Sequence, residues 1–153
     1  MKRANVQTLC LVISEGKILL GMKKRGFGEG RYNGFGGKII PGETLLQAAK
    51  REIAEEAGLK VGKLKKSGVL TFFSEIRDPI VMHIYSCVDF TGVPQESEEM
   101  RPEWFRFNRI PYSRMWPDDQ YWLPQVLKGK RVRARFWFDD QDIIIKKDVR
   151  LAL

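Results

Sequence analysis

"GGKIIPGETLLQAAKREIAEEAGL", residues 36–59, decides how the chain is read. Thr44 is followed three residues later by Gln47, a pair that can cap a helix reciprocally, each side chain taking the other's backbone amide. The spacing therefore predicts a helix starting at Thr44. Gly58 with apolar Leu59 after it predicts the stop, because glycine accepts the left-handed conformation that ends many helices. Leu46, Ala49, Ile53 and Ala57 recur at steps of three and four and predict one buried stripe. At 100° per residue, Glu52, Glu55 and Glu56 share an arc of about 100° beside that stripe. Three carboxylates then meet at the edge of the core. Like charges at these spacings cost about 0.2–0.5 kcal/mol each, and burial makes this worse. A hard divalent cation with an oxygen shell, Mg²⁺ or Mn²⁺, would offset the repulsion. A bare E-x-x-E-E is more often a solvated acidic face. The surroundings have to decide.

Upstream of the helix, "NVQTLCLVI" at 5–13 and "KILLGMKK" at 17–24 read as strands joined by the turn "SEG". "RGFGEGRYNGFGG" at 25–37 holds six glycines and no helical period, which predicts a loop whose backbone bends tightly or approaches a ligand closely. Downstream, "SGVLTFF" at 67–73, "IVMHIYSCVDF" at 80–90 and "EWFRFNRI" at 103–110 read as strands. Residues 117–128 read as a second helix. "RVRARFWF" and "DIIIKK" read as a closing hairpin around Asp139 and Asp140. Helices inserted among mixed strands predict an α/β or α+β sandwich.

With 153 residues, the chain is sized for one domain spanning 1–153 with a single sizeable core. The longest apolar run, "LCLVI" at 9–13, is far below the roughly 18 residues that span a bilayer, so no membrane segment is expected. "MKRANVQ" is basic but leads into no signal-peptide cleavage pattern, and cytoplasmic residence is the expectation. Cys10 and Cys87 lie in apolar strand-like runs and read as buried reduced thiols. The net charge of +8 points to an anionic partner without choosing among nucleotide, nucleic acid and membrane surface. His83, the single histidine, reads as a sheet position. Val132, Ala134, Phe136 and Phe138 alternate with Arg131, Arg133 and Arg135, as in a strand with one solvated face.

The surroundings of the three glutamates are specific. Residues 37–59 fit G-x₅-E-x₇-R-E-U-x-E-E-x-G-U, U being bulky and apolar, at every position. Gly37, Glu43, Arg51, Glu52, Glu55, Glu56 and Gly58 are its fixed residues. At typical usage near 7% per residue, seven such matches arise by chance about once in 10⁸ starting points. This stretch resembles the Nudix box. The resemblance implies an α/β/α sandwich around a mixed β-sheet and Mg²⁺-dependent hydrolysis of a diphosphate bond in a nucleoside diphosphate derivative. It implies that Glu52, Glu55 and Glu56 hold the metal, Glu55 or Glu56 as the direct ligand and Glu52 as the group that activates water. Gly36 would turn a backbone carbonyl to the metal, and Glu99, in preference to Glu98, would add a carboxylate. Arg51 would orient Glu55, four residues on, and Glu43 would tie the preceding loop to the helix.

Two further segments extend the resemblance over most of the chain. "GMKKRGFGEGRYNGFGGK" at 21–38 and "EEMRPEWF…IPYSRMWPDDQYW" at 98–122 are similar to the branch of the family that hydrolyses oxidised purine nucleoside triphosphates, 8-oxo-dGTP and 2-oxo-dATP, to monophosphate and pyrophosphate. Tyr32 stands where that branch is expected to carry Trp. The base pocket this implies is built from Thr8, Lys23, Phe27, Asn33, Phe35, Gly37, Trp116, Asp118 and Asp119. Phe27 and Trp116 would stack on the base while the two aspartates read its edge. Two carboxylates confined together cannot easily both ionise, so one should hold its proton and donate while the other accepts. The plainer role for these acids is to start the second helix after Pro117. The expected partner is a small nucleotide, without stable nucleic-acid binding, and the expected state is a monomer. The alternative is a Nudix-fold nucleic-acid binder or RNA-cap-processing protein. An intact set of three glutamates favours the enzyme.

Overall fold

Strand β1 (Asn5–Ser14) organises the sheet because both of its faces are apolar. Side chains alternate sides along a strand. Leu9 and Leu11 accordingly join one apolar cluster, and Cys10 and Val12 join the other. Strand β2 (Lys17–Lys23) divides in the same way, Ile18 and Leu20 going to the first cluster and Leu19 to the second. A sheet buried on both sides needs a layer on each. Helix α1 (Leu45–Ala57) covers one face through Ile53 and Ala57, and helix α2 (Asp119–Leu127) covers the other through Trp122, Leu123 and Val126. The α/β/α sandwich is the architecture observed in this computed structural model, which describes residues 5–152. The basic residues 1–4, on which the leader-peptide reading rests, lie outside that range, as does Leu153.

The remaining strands in chain order are β3 (Tyr32–Asn33), β4 (Phe35–Lys38), β5 (Lys60–Val61), β6 (Lys65–Ser74), β7 (Ile80–Cys87), β8 (Phe90–Thr91), β9 (Met100–Arg106), β10 (Arg131–Phe138) and β11 (Ile144–Ala152). Their order in the main sheet is β11-β10-β6-β7-β1-β2-β3, with β4 added on β1 and β9 on β2, while β5 and β8 form a small separate pair. The sheet is mixed: β1 runs parallel to β7 and β10 parallel to β6, and the other pairs are antiparallel.

One edge of β1 is occupied by β7 along Asn5 to Val12. The other edge is shared, with β4 pairing at Gln7–Cys10 and β2 at Val12–Ser14. The sheet forks there, and residues 32–38 fill the gap as β3 on β2 and β4 on β1. This corrects the expectation of an unbroken loop over 25–37. Glycine is required at the fork: a Cβ on Gly36 would stand 1.8 Å from the Thr8 carbonyl oxygen.

Other boundaries shift as well. The strand expected at 103–110 is β9 and ends at Arg106, where a short 3₁₀ turn takes over. The run at 80–90 breaks after Cys87, and Phe90 belongs to β8. The apolar stripe of α1 consists of Ala48, Ala49, Ile53 and Ala57, whereas Leu46 is 46% exposed. Small alanines let the helix lie close on the sheet, and Leu46 falls outside the contact. The caps of α1 are as expected: Thr44 and Gln47 form both reciprocal bonds, and Gly58 is left-handed at φ 69°. Cys10 and Cys87 are both buried free thiols, and burial pushes the Cys10 thiol up to about 12. Among the described residues no helix is long and apolar enough to cross a membrane.

Candidate active site

The three glutamates of α1 differ in environment because they leave the helix at different angles. Glu56 is buried at 5% exposure, and its Oε1 accepts the Gly36 amide at 2.8 Å. Burial, and then the negative charge of Glu52, push its carboxyl up to about 8. The Glu52 side chain is 17% exposed and Glu55 is 60% exposed. The convergence at the core edge is therefore made by Glu52 and Glu56, while Glu55 stands at the rim. A Cβ on Gly37 would stand 3.0 Å from the Glu52 carboxylate, so the glycine leaves room beside that group.

Arg51 is the hub of this end. It bonds Glu43 at 2.7 and 3.0 Å, Glu52 at 2.7 Å and the Lys38 carbonyl at 3.2 Å. Its contact with Glu55 is longer, at 3.4 Å. Arg51 thus reaches Glu55 as expected, but holds Glu52 and Glu43 more closely. Hydrogen bonds from Arg51 and the Ile40 amide hold the Glu43 carboxyl below its usual range, and Glu43 ties the 38–43 loop to the helix as expected. Glu99 accepts from Lys23 at 3.1 Å and Arg25 at 2.9 Å, which hold its carboxyl below the usual range. It remains within electrostatic reach of Glu56.

These groups fit an oxygen-preferring cation. A buried carboxyl that resists ionising beside a second carboxylate is relieved by a divalent ion, and Glu52, Glu55, Glu56 and Glu99 all offer hard oxygen. Among the described residues no three Asp, Glu, His or Cys side chains are gathered as a ready cluster. Water and phosphate oxygens would have to supply the rest of the shell, as Mg²⁺ usually requires.

The second end lies at the start of α2. Asp118 and Asp119 are buried at 3% and 8% exposure. Trp122, one turn on, donates from Nε1 to Asp118 Oδ2 at 2.9 Å. Burial pushes Asp118 up to about 6, against the bonds from Trp122 and Asp119 that favour its charge. Burial, and then the charge of Asp118, also push Asp119 well above its ordinary value. The adjacent buried pair therefore keeps a proton to higher pH than an ordinary carboxylate does. The two acids do start the helix, Asp118 at its N-cap position and Asp119 in its first turn, though not in the way Pro117 suggested. Pro117 precedes the cap instead of occupying the first helical position, and the Asp118 side chain makes no capping bond.

One cavity of about 280 Å³ is lined at once by Glu56, Gly36 and Gly37, by Lys23, Asn33 and Thr8, and by Phe27, Trp116, Asp118 and Asp119. Phe27 is 57% exposed, and its ring meets Trp116 with centroids 5.0 Å apart. Asn33 Nδ2 donates to the Arg31 carbonyl at 3.1 Å, which sets the amide's orientation. Thr8 is fully buried, and its Oγ1 is the one buried side-chain N or O atom without a hydrogen-bond partner among the described residues. Buried polar atoms are rarely left unpaired, so an orphan on a cavity wall marks a place for a ligand group. Phe35 is the exception among the expected pocket residues. It is fully buried in the α1-side cluster with Cys10 and Ile53, and is core.

Sequence reasoning missed Trp122, although a tryptophan four residues after an aspartate in a helix is a legible i,i+4 partner. It also missed the apolar wall formed by Leu9, Phe72, Met82, Met115 and Phe138. Those residues come from five separate segments, and no local signal links them.

The NUDIX domain family matches residues 1–126. The oxidized purine nucleoside triphosphate hydrolase of Mus musculus is 48% identical over 151 residues, 98% of this chain and 97% of the mouse protein. The protein of the same name from Danio rerio is 47% identical over 147 residues, 95% of this chain and 94% of the fish protein. In fold, the chain matches the crystal structure of a MutT protein from Bacillus halodurans with a TM-score of 0.84 at 23% identity, covering 95% of this chain and 97% of that one.

Proposed function

The chain belongs to the Nudix hydrolase family, and from that premise we propose that it hydrolyses oxidised purine nucleoside triphosphates, 8-oxo-dGTP and 2-oxo-dATP, to monophosphate and pyrophosphate. It would thereby keep damaged bases out of the nucleotide pool. The observation that carries this reading is the single cavity shared by the buried Glu56 carboxyl and the Asp118–Asp119 pair. A nucleotide has two such ends, a polyanionic phosphate chain and a flat base with a polar edge.

At the phosphate end, Glu52, Glu55 and Glu56 with Gly36 and Glu99 would hold Mg²⁺, or Mn²⁺ in its place. The bound ion supplies polarisation of the phosphate and a water of lowered pKa. The Gly36 amide steadies Glu56, while Arg51 and Glu43 fix Glu52, the carboxylate assigned to take the proton of the attacking water. Lys23 faces the same cavity as a cation for the phosphates. At the base end, Thr8 offers its unpaired hydroxyl and Asn33 a polar amide, with Phe27 and Trp116 as flat walls. Asp119 donates while Asp118 accepts. A cytoplasmic monomer acting as one domain, binding a free nucleotide and not nucleic acid, completes the reading.

Pyrophosphate release from a panel of oxidised, methylated and unmodified nucleoside triphosphates, with and without Mg²⁺, tests it. Mg²⁺-dependent turnover favouring the oxidised purines is the expected result. Salt-sensitive RNA binding without turnover of any free nucleotide would replace it with the nucleic-acid reading.

A further inference from the structure

Three loops meet where the base cavity opens to solvent, and a run of side-chain contacts joins them. Arg77 pairs with Asp142, and its guanidinium lies over the Phe27 ring at 4.8 Å. Phe27 meets Trp116 at 5.0 Å, Arg31 lies over Trp116 at 4.4 Å, and Arg31 Nη1 donates to the Met115 carbonyl at 2.9 Å. Arg77, Asp142, Phe27 and Trp116 all line the cavity.

The three loops are not equally anchored. The loop bearing Asp142 is pinned by Asp139, whose Oδ1 accepts the Gln141 and Ile143 amides at 2.8 and 3.0 Å. The segment bearing Arg77 is held by the Glu75 amide on the Phe138 carbonyl at 3.3 Å and by the Ile76 amide on Ser74 Oγ at 3.2 Å. The tip bearing Phe27 is different. Gly26 and Gly28, on either side of it, are left-handed at φ 76° and 86°. The Glu29 and Arg31 amides bond to Gly26 and Gly28 of the same loop, and the Gly30 amide to Lys23 at the end of β2. The base of this loop is tied down by Lys24 and Arg25 to residues 96–99 and by Arg31 to Met115 and Trp116, so at the tip itself the Phe27 ring is the side chain that reaches across to a neighbouring loop.

We propose that Arg77, anchored by Asp142, is a positioning residue that holds the Phe27 ring against Trp116 and so closes the base cavity. Phe27 alone is an exposed ring on a loop with glycine on both sides. A cation fixed to a rigid neighbouring turn gives the ring a second attachment besides Trp116. The carboxylate of Asp142 also keeps the guanidinium from turning out to solvent or toward the phosphates. The residue is left-handed at φ 60°, a conformation that Asp tolerates better than most. That this closure serves an oxidised purine rests on the proposed function; the latch itself does not.

Two measurements keep these apart. Hydrogen exchange on the free protein reads the latch alone. In Arg77→Ala the Glu29, Gly30 and Arg31 amides should exchange about two- to five-fold faster, the factor expected of one exposed cation–ring contact. Amides of α1 should not change. Unchanged exchange at Glu29–Arg31 would overturn the latch. Steady-state kinetics with 8-oxo-dGTP reads its use. KM should rise by about the same two- to five-fold with kcat unchanged or higher, Arg77→Lys should restore most of it, and Asp142→Asn should give part of the loss. In a Phe27→Ala background, Arg77→Ala should add nothing, because its effect runs through the ring. A full Arg77→Ala effect persisting without Phe27 would show that Arg77 acts on substrate directly and refute the positioning role. Faster exchange with an unchanged KM would refute the part the latch plays in closing the base cavity. Wild-type protein that turns over no oxidised purine, yet shows the exchange change, would overturn the proposed function and leave the latch standing.

Discussion

Asp119→Asn is the most informative single change, because two adjacent buried acids cannot easily both ionise. The Trp122 bond favours the charged form of Asp118, and burial beside that charge favours the protonated form of Asp119. Asparagine at 119 imitates that protonated form: it offers a donor and a neutral acceptor at all pH values and never becomes a full acceptor. A base read by the Asp118-ionised, Asp119-protonated state should keep most of its turnover. A base that needs the opposite placement of the proton should lose much of it. A hydrogen bond to a neutral partner is worth about 0.5–1.5 kcal/mol and one to a charged partner about 1.5–3, so the ratio of kcat/KM between 8-oxo-dGTP and 2-oxo-dATP should move by a few-fold to about 100-fold. The pH dependence should change too. Both acids are raised above their ordinary values, so their contribution to stability is full below about pH 4; Asp118's share is lost as the pH rises through about 6, and Asp119's at higher pH. Removing one carboxyl should flatten that loss. The assay is kcat/KM for both substrates across about pH 6–9, with thermal unfolding over a wider range. An unchanged ratio at every pH, with only a small stability change, would refute the proton-sharing pocket.

Glu56→Gln should lower turnover about 10²- to 10⁴-fold or more while leaving the fold intact. In metal-free buffer it should also unfold at a higher temperature than the wild type above about pH 8, and the difference should vanish below about pH 4.5. The raised carboxyl of Glu56 contributes stability that is lost as the pH climbs to about 8, and glutamine has no charge to bury. Near-normal kcat at saturating Mg²⁺ would remove Glu56 from the site. Asn33→Ala should raise KM for purine substrates with little change in unfolding temperature; normal binding with earlier unfolding would make Asn33 a turn residue. Trp122→Phe removes the donor to a buried carboxylate, which costs about 1–3 kcal/mol, and should move the acid limb of the pH–rate profile above about 6. An acid limb that stays in place would show that Asp118 does not control turnover.

Helix α1 was legible from sequence because its signals are local: the reciprocal cap at Thr44 and Gln47, the left-handed Gly58 and the glutamate spacing all lie within one stretch. Leu46 was misplaced because periodicity marks a direction without showing how wide the contact is, and alanines narrowed it. Strands β3 and β4 were hidden for a different reason. Glycine-rich residues have no strand preference of their own, and they became strands only because a fork in the sheet offered two unpaired edges. The glutamate end of the cavity is legible in the sequence because its groups come mostly from one helix. The other end of the cavity gathers Thr8, Asn33, Phe72 and Asp118 from segments far apart in the chain, and the Arg77–Asp142 pair joins two loops that no sequence spacing links.

The parallel pairing of β1 with β7 also bears on how the chain reaches its fold. Asn5 faces Ile80 and Val12 faces Cys87, so the first strand cannot take its central place until the chain has grown past residue 87. Its only early partners are β2, over the short stretch Val12–Ser14, and β4 at Gln7–Cys10. During synthesis the amino-terminal strand therefore waits with one apolar edge open. Closing so long a loop carries an entropic cost before the contacts form. The second parallel pair, β6 with β10, repeats the delay toward the end of the chain. Refolding should accordingly be slow for a domain of this size, with α1 and the β1–β2 turn forming first. The interval before β7 docks is when this protein is most open to aggregation, because an unpaired apolar edge is exposed.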